Sequence, residues 1–355
     1  MSQDGGLQWS TVERSLLCEA GWEHFIAARF FEAHEQWEVA WLGTGEGPLR
    51  EGLRGLVQWA AAAHHLQRAQ QDGVVTGVEA EVQASGSVLA RALGRLGRAD
   101  VLAALSEDGL FACVVPPSNL QHLVTMVNDP EKLSAVLVLT QPRPKLGAAA
   151  LLLAAGRGRR AGGPKAIKIR DGEVLWRWQV DQLLAQGCDA VAAVLHPVAW
   201  LEPPDADKDA HGLDPRTVAA VPGSPGAPQF ASLQRALGAL PGRAQGLPVL
   251  VLPIDCPCPP RRVSVALLAT TLEARLRRQD WHAARPCIAA TPGQPRALGH
   301  PVLLAPDWLA ELRAADPEAT RLDRLLAALP PEQVCDVQVY DDGVLANFNR
   351  NGVDA

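Results

Sequence analysis

The stretch 148–166, AAALLLAAGRGRRAGGPKA, carries the residue types best suited to holding phosphates. An apolar run breaks into glycines, whose backbone N–H groups can form a concave nest with cationic side chains beside it. Arg160 and Lys165 are the candidates to reach a triphosphate, the arginine as a bidentate fork and the lysine as a compact point charge. Arg157 and Arg159 read as outward-facing, and Lys168 as strand-edge surface. A second apolar run, VLVLPIDCP, ends at Asp255. A carboxylate there is the natural ligand for Mg²⁺, which keeps several waters and takes only one or two protein oxygens plus substrate phosphates. The competing assignment for Asp255 is a cap on the turn before Pro257.

Two other glycine-loop readings fail on local grounds. Gly156-x-Gly158-x-x-Ala161 fits a dinucleotide fingerprint, which needs a helix opening at the second glycine. Gly162, Gly163 and Pro164 follow at once, and two glycines with a proline cost about 5 kcal/mol in a helix interior. The phosphate loop GxxxxGK[ST] fails because Pro164 precedes Lys165 and Ala166 follows it. An extended loop wrapped around a triphosphate is what remains.

Several further residues could do chemistry. His300 lies between Gly299 and Pro301, a constrained place from which it either approaches a second substrate or serves as a structural histidine. Ser232, in GAPQFASLQRAL, is a helix-cap candidate. Cys256 and Cys258 are spaced CxC, which is no zinc spacing by itself, and read as small strand-end residues. His34 and Glu38 stand at i, i+4, with His64 on a later helix. That trio could bind a metal in a bundle core, although a hydrogen-bonded polar cluster is the favoured reading.

The segment LAAGRGRRAGGPKA resembles the LxAGxGxRMGxxKa signature of MobA-like nucleotidyltransferases, with Gly156, Gly158, Arg160, Gly162 and Lys165 on motif positions and Ala161 in place of methionine. VLVLPIDCP resembles that family's Asp-x-Pro metal strand, LGHPVLL (298–304) its Gly-His-Pro-Val segment, and DDGVLANFNRNGVD (341–354) its closing motif. In the closing motif Arg350 and Asn351 replace Thr-Pro. The resemblance runs from about residue 148 to the C-terminus. It implies a Mg²⁺-dependent transfer of a nucleoside monophosphate from a triphosphate, CTP or GTP favoured, to a phosphorylated acceptor such as molybdopterin, with release of pyrophosphate. It also makes Asn347 the second metal ligand, with Asn349 competing, and places Ser232 against the nucleobase beside backbone groups of Ala154 and Ala155. The altered closing motif keeps a second class open: a nucleotide-binding sensor or scaffold without turnover. A dinucleotide-dependent oxidoreductase is the weaker third.

These residues must be positioned by a scaffold, and the 355 residues suffice for two domains. After residue 148, strands at 148–155, 189–195, 248–254 and 286–290 alternate with helical stretches at 174–187, 231–240 and 262–278. Such alternation predicts an α/β fold, a mostly parallel sheet with helices on both faces; the resemblance implies the Rossmann-like three-layer form of the nucleotide-diphospho-sugar transferase type. The glycine loop and Asp255 both follow strands, on the carboxyl edge where ligands bind. The segment 203–228 reads as a mobile loop near the site.

The first part of the chain is different. Five of ten tryptophans fall in the first sixty residues. Stripes Phe30, His34, Trp37, Trp41 and Leu53, Val57, Ala60, His64 have helical spacing, as do Val75, Val78, Val82 and Leu89, Leu93, Leu96. They predict a small antiparallel helical bundle over 1–111. FFEAHEQWEVAW and LRGLVQWAAAAHHL resemble elements of the helical family known as domain of unknown function 309, which implies no activity. Prolines 116, 117, 130, 142 and 144 mark 112–147 as a linker with one short helix near 120–127, leaving 148–355 as the transferase domain. A net charge of -6 gives no footprint for nucleic acid. No apolar run is long enough to span a bilayer, the start MSQDGGLQWS is unlike a signal peptide, and seven scattered cysteines suggest reduced thiols. The expectation is a cytoplasmic protein, with the bundle a candidate homo-oligomer contact.

Overall fold

The computed structural model describes residues 7–71, 78–108, 110–139, 145–158, 162–201, 214, 217–289 and 296–348. The chain divides into two compact units, Met1–Pro144 and Lys145–Ala355.

The first unit is helical: α1 (Thr11–Ile26), α2 (Phe30–Leu42), α3 (Pro48–Gln71), α4 (Val78–Leu96) and α5 (Ala99–Glu107). A capping box starts α1, in which Ser10 accepts from the Glu13 N–H while the Glu13 carboxylate accepts from the Ser10 N–H. Pro48 occupies the first position of α3, where its missing N–H is no loss. The core gathers Phe25, Phe30, Trp37 and Trp59, all fully buried, with Phe25 ring centroids 5.2, 5.3 and 5.1 Å from the other three. The buried line of α2 is Phe30, Ala33, Trp37 and Ala40. His34 and Trp41 flank it, one helical position off the predicted stripe. Leu89, Ala92 and Leu96 form the buried line of α4, rather than a line through Leu93.

The stretch read as a linker is built. Strand β1 (Phe111–Val114), α6 (Leu120–Val127), α7 (Pro130–Val136) and β2 (Leu137–Leu139) fill it, and β1 pairs antiparallel with β2. One of the prolines explains part of the difference. Pro130 opens α7, where its missing N–H is no loss, while α6 starts not at Pro116 or Pro117 but at the cap Asn119, whose side chain accepts from His122 N–H.

The second unit runs β3 (Ala149–Ala154), β4 (Ile169–Arg170), β5 (Glu173–Val174), α8 (Leu175–Ala185), β6 (Ala190–Leu195), α9 (Pro197–Leu201), β7 (Val218–Pro222), α10 (Gln229–Ala239), β8 (Val249–Pro253), α11 (Arg261–Leu276), β9 (Ala283–Ile288), β10 (Ala297–Leu298), β11 (Val302–Leu304), α12 (Leu309–Ala314), α13 (Leu322–Ala328) and β12 (Val334–Gln338). Strands β8, β3, β6 and β7 lie side by side and parallel. β11 is antiparallel between β8 and β9, and β12 runs parallel along β9. β4 and β5 form a separate hairpin. Every residue of β3 and β6 is buried, as central parallel strands covered on both faces require. One face packs Leu151, Leu153 and Val194 against Phe230, Leu233 and Leu237 of α10, with Leu312 of α12 and Leu326 of α13. On the other face α8 and α11 meet, where Ser264 Oγ donates to Gln186 Oε1 at 2.9 Å.

The strand expected at 286–290 lies at 283–288. Pro286 sits inside it rather than at its start, and the three residues before the proline belong to the strand. Its carbonyl is nonetheless used, accepting from Gly299 N–H at 2.8 Å. The sheet is thus mostly parallel with helices on both faces, as predicted, and mixed at one side.

Candidate active site

The carboxyl ends of β3 and β8 place the chemistry. β3 runs out at Ala154 into the glycine loop, and β8 ends two residues before Asp255, tied to β3 by Ile254 N–H donating to Leu153 O at 3.1 Å. Gly158 has φ +59°, and a Cβ on it would overlap the Gly163 carbonyl oxygen. Gly163 N–H closes the loop on Gly158 O at 3.2 Å. Only glycine allows both the left-handed backbone and that approach. The loop returns through Pro164 to a 3-10 turn at Lys165–Ile167, which seats Lys165 inward with 8 % of its surface exposed.

Lys165 Nζ lies 3.3 Å from Asp255 Oδ2. The same carboxylate oxygen accepts from Asn347 Nδ2 at 3.2 Å, and the Asp255 carbonyl accepts from Phe348 N–H at 2.8 Å. Three segments far apart in sequence therefore converge on one carboxylate. An ammonium this buried needs a paired anion, which Asp255 supplies. The Asp255 carboxylate and an asparagine amide oxygen are hard donors of the kind Mg²⁺ or Mn²⁺ takes, with coordination left for water and phosphate; here Asn347 turns its Nδ2 to the carboxylate, so its Oδ1 would join the set on rotation of the amide.

Two cavities meet at Asp255. One, of about 260 Å³, is lined by Ala155, Gly156, Gly158, Lys165 and Ser232 with the 224–227 turn. The other, of about 640 Å³, has His300, Asn347, Cys256 and Arg321 among its polar lining and Phe230, Leu322 and Leu326 among its apolar walls. Leu153, Gln229, Pro253 and Asp255 line both. Gly223 permits the exit of β7 to press on the glycine loop, because a Cβ there would overlap Ala155.

The remaining predicted residues fall as follows. Ala154 is the last residue of β3, and its carbonyl accepts from His196 N–H at 3.0 Å, so it serves the sheet and lines neither cavity. Gly162 has φ +74° in open space away from the cavities. Ser232 is not a helix cap: α10 begins at Gln229 with Pro228 at the cap, and Ser232 lies in the first turn facing the cavity. Arg157 is exposed but not turned away. Its guanidinium reaches the 223–227 turn, where a Cβ on Gly226 would stand 2.7 Å from Nη2. Arg159, Arg160 and Asn349 lie outside the described residues, as does half of 203–228, of which 218–222 forms β7.

His300 lines the larger cavity with its Nδ1 buried and hydrogen-bonded to nothing. Burial pushes its pKa below the ordinary histidine value, against a smaller opposing pull from Asp255. Burial also pushes the Cys256 thiol up to about 12, with the Asp255 charge adding to it. Cys18, Cys188, Cys256, Cys258, Cys287 and Cys335 are all free thiols.

One supporting residue escaped the sequence reading. Gln179 of α8 is fully buried; its Nε2 donates to Cys256 O at 2.7 Å and its Oε1 accepts from Cys258 N–H at 2.9 Å. It braces the loop that follows Asp255. A glutamine on the apolar face of a helix was the only trace of it.

In the helical unit, the ligand atoms of His34, Glu35 and Glu38 lie within 4.8 Å of one another, and His34 Nδ1 is 3.1 Å from Glu35 Oε1. His64 is not part of that group. Its ring packs on Phe31 at 5.5 Å. No helix is long and apolar enough to cross a membrane among the described residues.

The MobA-like NTP transferase domain model matches residues 150–334, and the model of domain of unknown function 309 matches residues 18–76. No curated protein matches significantly. Solved structures similar to this chain include a nucleotidyl transferase from Methanothermobacter thermautotroptrophicus, 23 % identical over 57 % of this chain and 91 % of its own, TM-score 0.40. A 4-diphosphocytidyl-2C-methyl-D-erythritol synthase from Anaerococcus prevotii is 15 % identical over 58 % and 93 %, TM-score 0.42. Rv0371c from Mycobacterium tuberculosis is 20 % identical over 54 % and 88 %, TM-score 0.39.

Proposed function

This chain belongs to the MobA-like NTP transferase family and is a nucleotidyltransferase; from that premise we propose that it moves a nucleoside monophosphate, from CTP or GTP, to a phosphorylated small-molecule acceptor. The observation that carries the reading is the contact between Lys165 and Asp255 at the floor shared by two cavities, one walled by the glycine loop. The smaller cavity takes the triphosphate, with backbone N–H groups of the loop and the Lys165 ammonium on the phosphates. Ser232 and Ala155 border the base. The larger cavity takes the acceptor.

In the reaction an acceptor phosphate oxygen attacks the α-phosphorus. The bond from that phosphorus to the bridging oxygen breaks, and pyrophosphate leaves with the electron pair. The protein's share is positioning and neutralising charge. Lys165 stabilises the charge developing on the leaving pyrophosphate. Asp255 and Asn347 are the residues to hold Mg²⁺, which when bound supplies a Lewis acid for the phosphate oxygens. His300, held neutral by burial, borders the acceptor as a hydrogen-bonding group and carries no charge to repel or attract it at neutral pH.

The test is pyrophosphate release from each of the four common NTPs, with Mg²⁺ and a panel of phosphorylated acceptors. Lys165→Ala and Asp255→Asn should each lower turnover by at least about a hundredfold, about 2.7 kcal/mol of transition-state stabilisation. Unchanged turnover in both removes these residues from the mechanism. Nucleotide binding without release across the panel would favour the sensor reading.

A further inference from the structure

The closing segment reaches Asp255 through two adjacent residues, and a guanidinium outside the two cavities grips the second of them. Arg170 ends β4. Its Cζ lies 4.5 Å from the centroid of the Trp178 ring, on α8, and 5.0 Å from that of the Phe348 ring. Its Nε is buried and hydrogen-bonds nothing, with Asp171 Oδ2 the nearby anion at 3.7 Å. A cation that gives up a donor to lie over two aromatic rings is held there by the rings themselves. Phe348 is 8 % exposed, and its N–H donates to the Asp255 carbonyl. Asn347, one residue earlier, donates to the Asp255 carboxylate. Upstream the segment is fixed elsewhere: Asp341 pairs with Arg262 and caps Gly343, and Val344 O accepts from His300 N–H. Nothing in those upstream ties sets the height of Asn347 over Asp255. The ties at Phe348 lie next to it: its N–H bond to the Asp255 carbonyl and the stack on its ring.

We propose that Arg170 is a positioning residue whose guanidinium, stacked on Trp178 and Phe348, holds Asn347 against Asp255 and thereby sets the divalent-cation affinity of that pair. The role of the pair rests on the function proposed above, whereas the stack rests on geometry alone. A planar guanidinium can lie along two ring faces, which an ammonium cannot match. Lysine at 170 should therefore restore the function only in part.

The experiment uses the full chain as Arg170→Leu, Arg170→Lys, Phe348→Leu and the Arg170→Leu/Phe348→Leu pair. Amide hydrogen exchange over 343–348 is read without metal or nucleotide. Mn²⁺ alone is then titrated by electron paramagnetic resonance, with thermal unfolding of each variant in parallel. Arg170→Leu should speed exchange at Phe348 and weaken Mn²⁺ binding, each by about tenfold, as loss of an outer-shell support does. Arg170→Lys should fall between it and wild type. The double variant should be no worse than the worse single one, because both remove the same stack. Unchanged exchange overturns the proposal, as does faster exchange with Mn²⁺ affinity intact. A wild-type chain that binds no Mn²⁺ overturns this proposal together with the metal role of Asp255 and Asn347. Normal Mn²⁺ binding with unchanged exchange in Arg170→Leu overturns this one alone.

Discussion

Replacing Gln179 by leucine should damage the site from behind. The carboxamide holds the Cys256 carbonyl at 2.7 Å and the Cys258 N–H at 2.9 Å, and the glutamine is fully buried. Leucine fills nearly the same volume, so the packing loss is small and both backbone groups lose their partner. A buried backbone group left unpaired costs about 1–3 kcal/mol. The Cys258 N–H is only partly buried and falls at the low end, so the pair amounts to about 3 kcal/mol. For a unit of roughly 200 residues that lowers the melting temperature by about 6–12 °C. Calorimetry is the assay, because it can separate the transition of the second unit from that of the helical one. Gln182→Leu is the control: it lies on the same helix but exposed, and such substitutions stay within about 0.5 kcal/mol. The loop after Asp255 would also loosen, so pyrophosphate release should fall at temperatures where the variant is fully folded. If Gln179→Leu melts within about 2 °C of wild type, the brace contributes nothing and the reasoning fails.

Gly158→Ala should abolish measurable nucleotide binding while leaving the unfolding transition nearly in place, because the added methyl overlaps Gly163 O in an exposed loop and not in the core; calorimetric titration with CTP and GTP reads it, and wild-type affinity would contradict the loop geometry. The helical unit should lose stability in acid through His24, whose pKa burial pushes down to about 4 with Arg29 assisting. Its Nδ1 accepts from Arg29 Nε at 3.0 Å, which a protonated ring cannot do. The folded value lies below the unfolded one, so the unfolded chain takes the proton first. The contribution is complete above pH 6.5 and drains away as pH falls towards 4, about 3 kcal/mol in all. His24→Gln should flatten the stability of the helical unit across that window in urea titrations, and an unchanged slope would show that other groups set it. At pH 8 the Cys256 thiol, pushed up to about 12, should react with iodoacetamide at least a hundredfold more slowly than a free cysteine; mass spectrometry of the labelled peptide decides it.

The division between what could and could not be read in advance follows the range of the interactions. The glycine loop was legible because its constraint is local: Gly158 must take a positive φ and meet Gly163, five residues away, and no other residue type permits it. Asp255 was legible because a carboxylate closing an apolar strand has few other reasons to be there, and because parallel strands bring their carboxyl ends to one edge. Lys165 and Asp255 then had to meet. Helix boundaries were harder. Ser232 looked like a cap because serine caps helices, yet Pro228, with its fixed φ and no N–H to satisfy, starts α10 earlier and turns Ser232 into a wall residue. Pro130 misled in the same way, since a residue that breaks a helix interior also favours a helix beginning.

Gln179 and Arg170 were invisible for a different reason. Each acts on a segment distant in sequence, Gln179 on the loop beyond Asp255 and Arg170 on Phe348. A glutamine among buried helix positions, or an arginine in a two-residue strand, has no pattern to distinguish it from a solvated neighbour. Their partners are backbone groups and a ring face, neither of which imposes a spacing on the sequence. What a site does is therefore written in short motifs, because chemistry needs particular atoms a few ångströms apart on one loop. How tightly those atoms are held is written in pairings across the fold, which folding alone reveals. A substitution that spares every motif residue can still uncouple Asn347 from Asp255. Variants of Gln179 and Arg170 separate the two kinds of information, since they change the support and leave the reacting groups untouched.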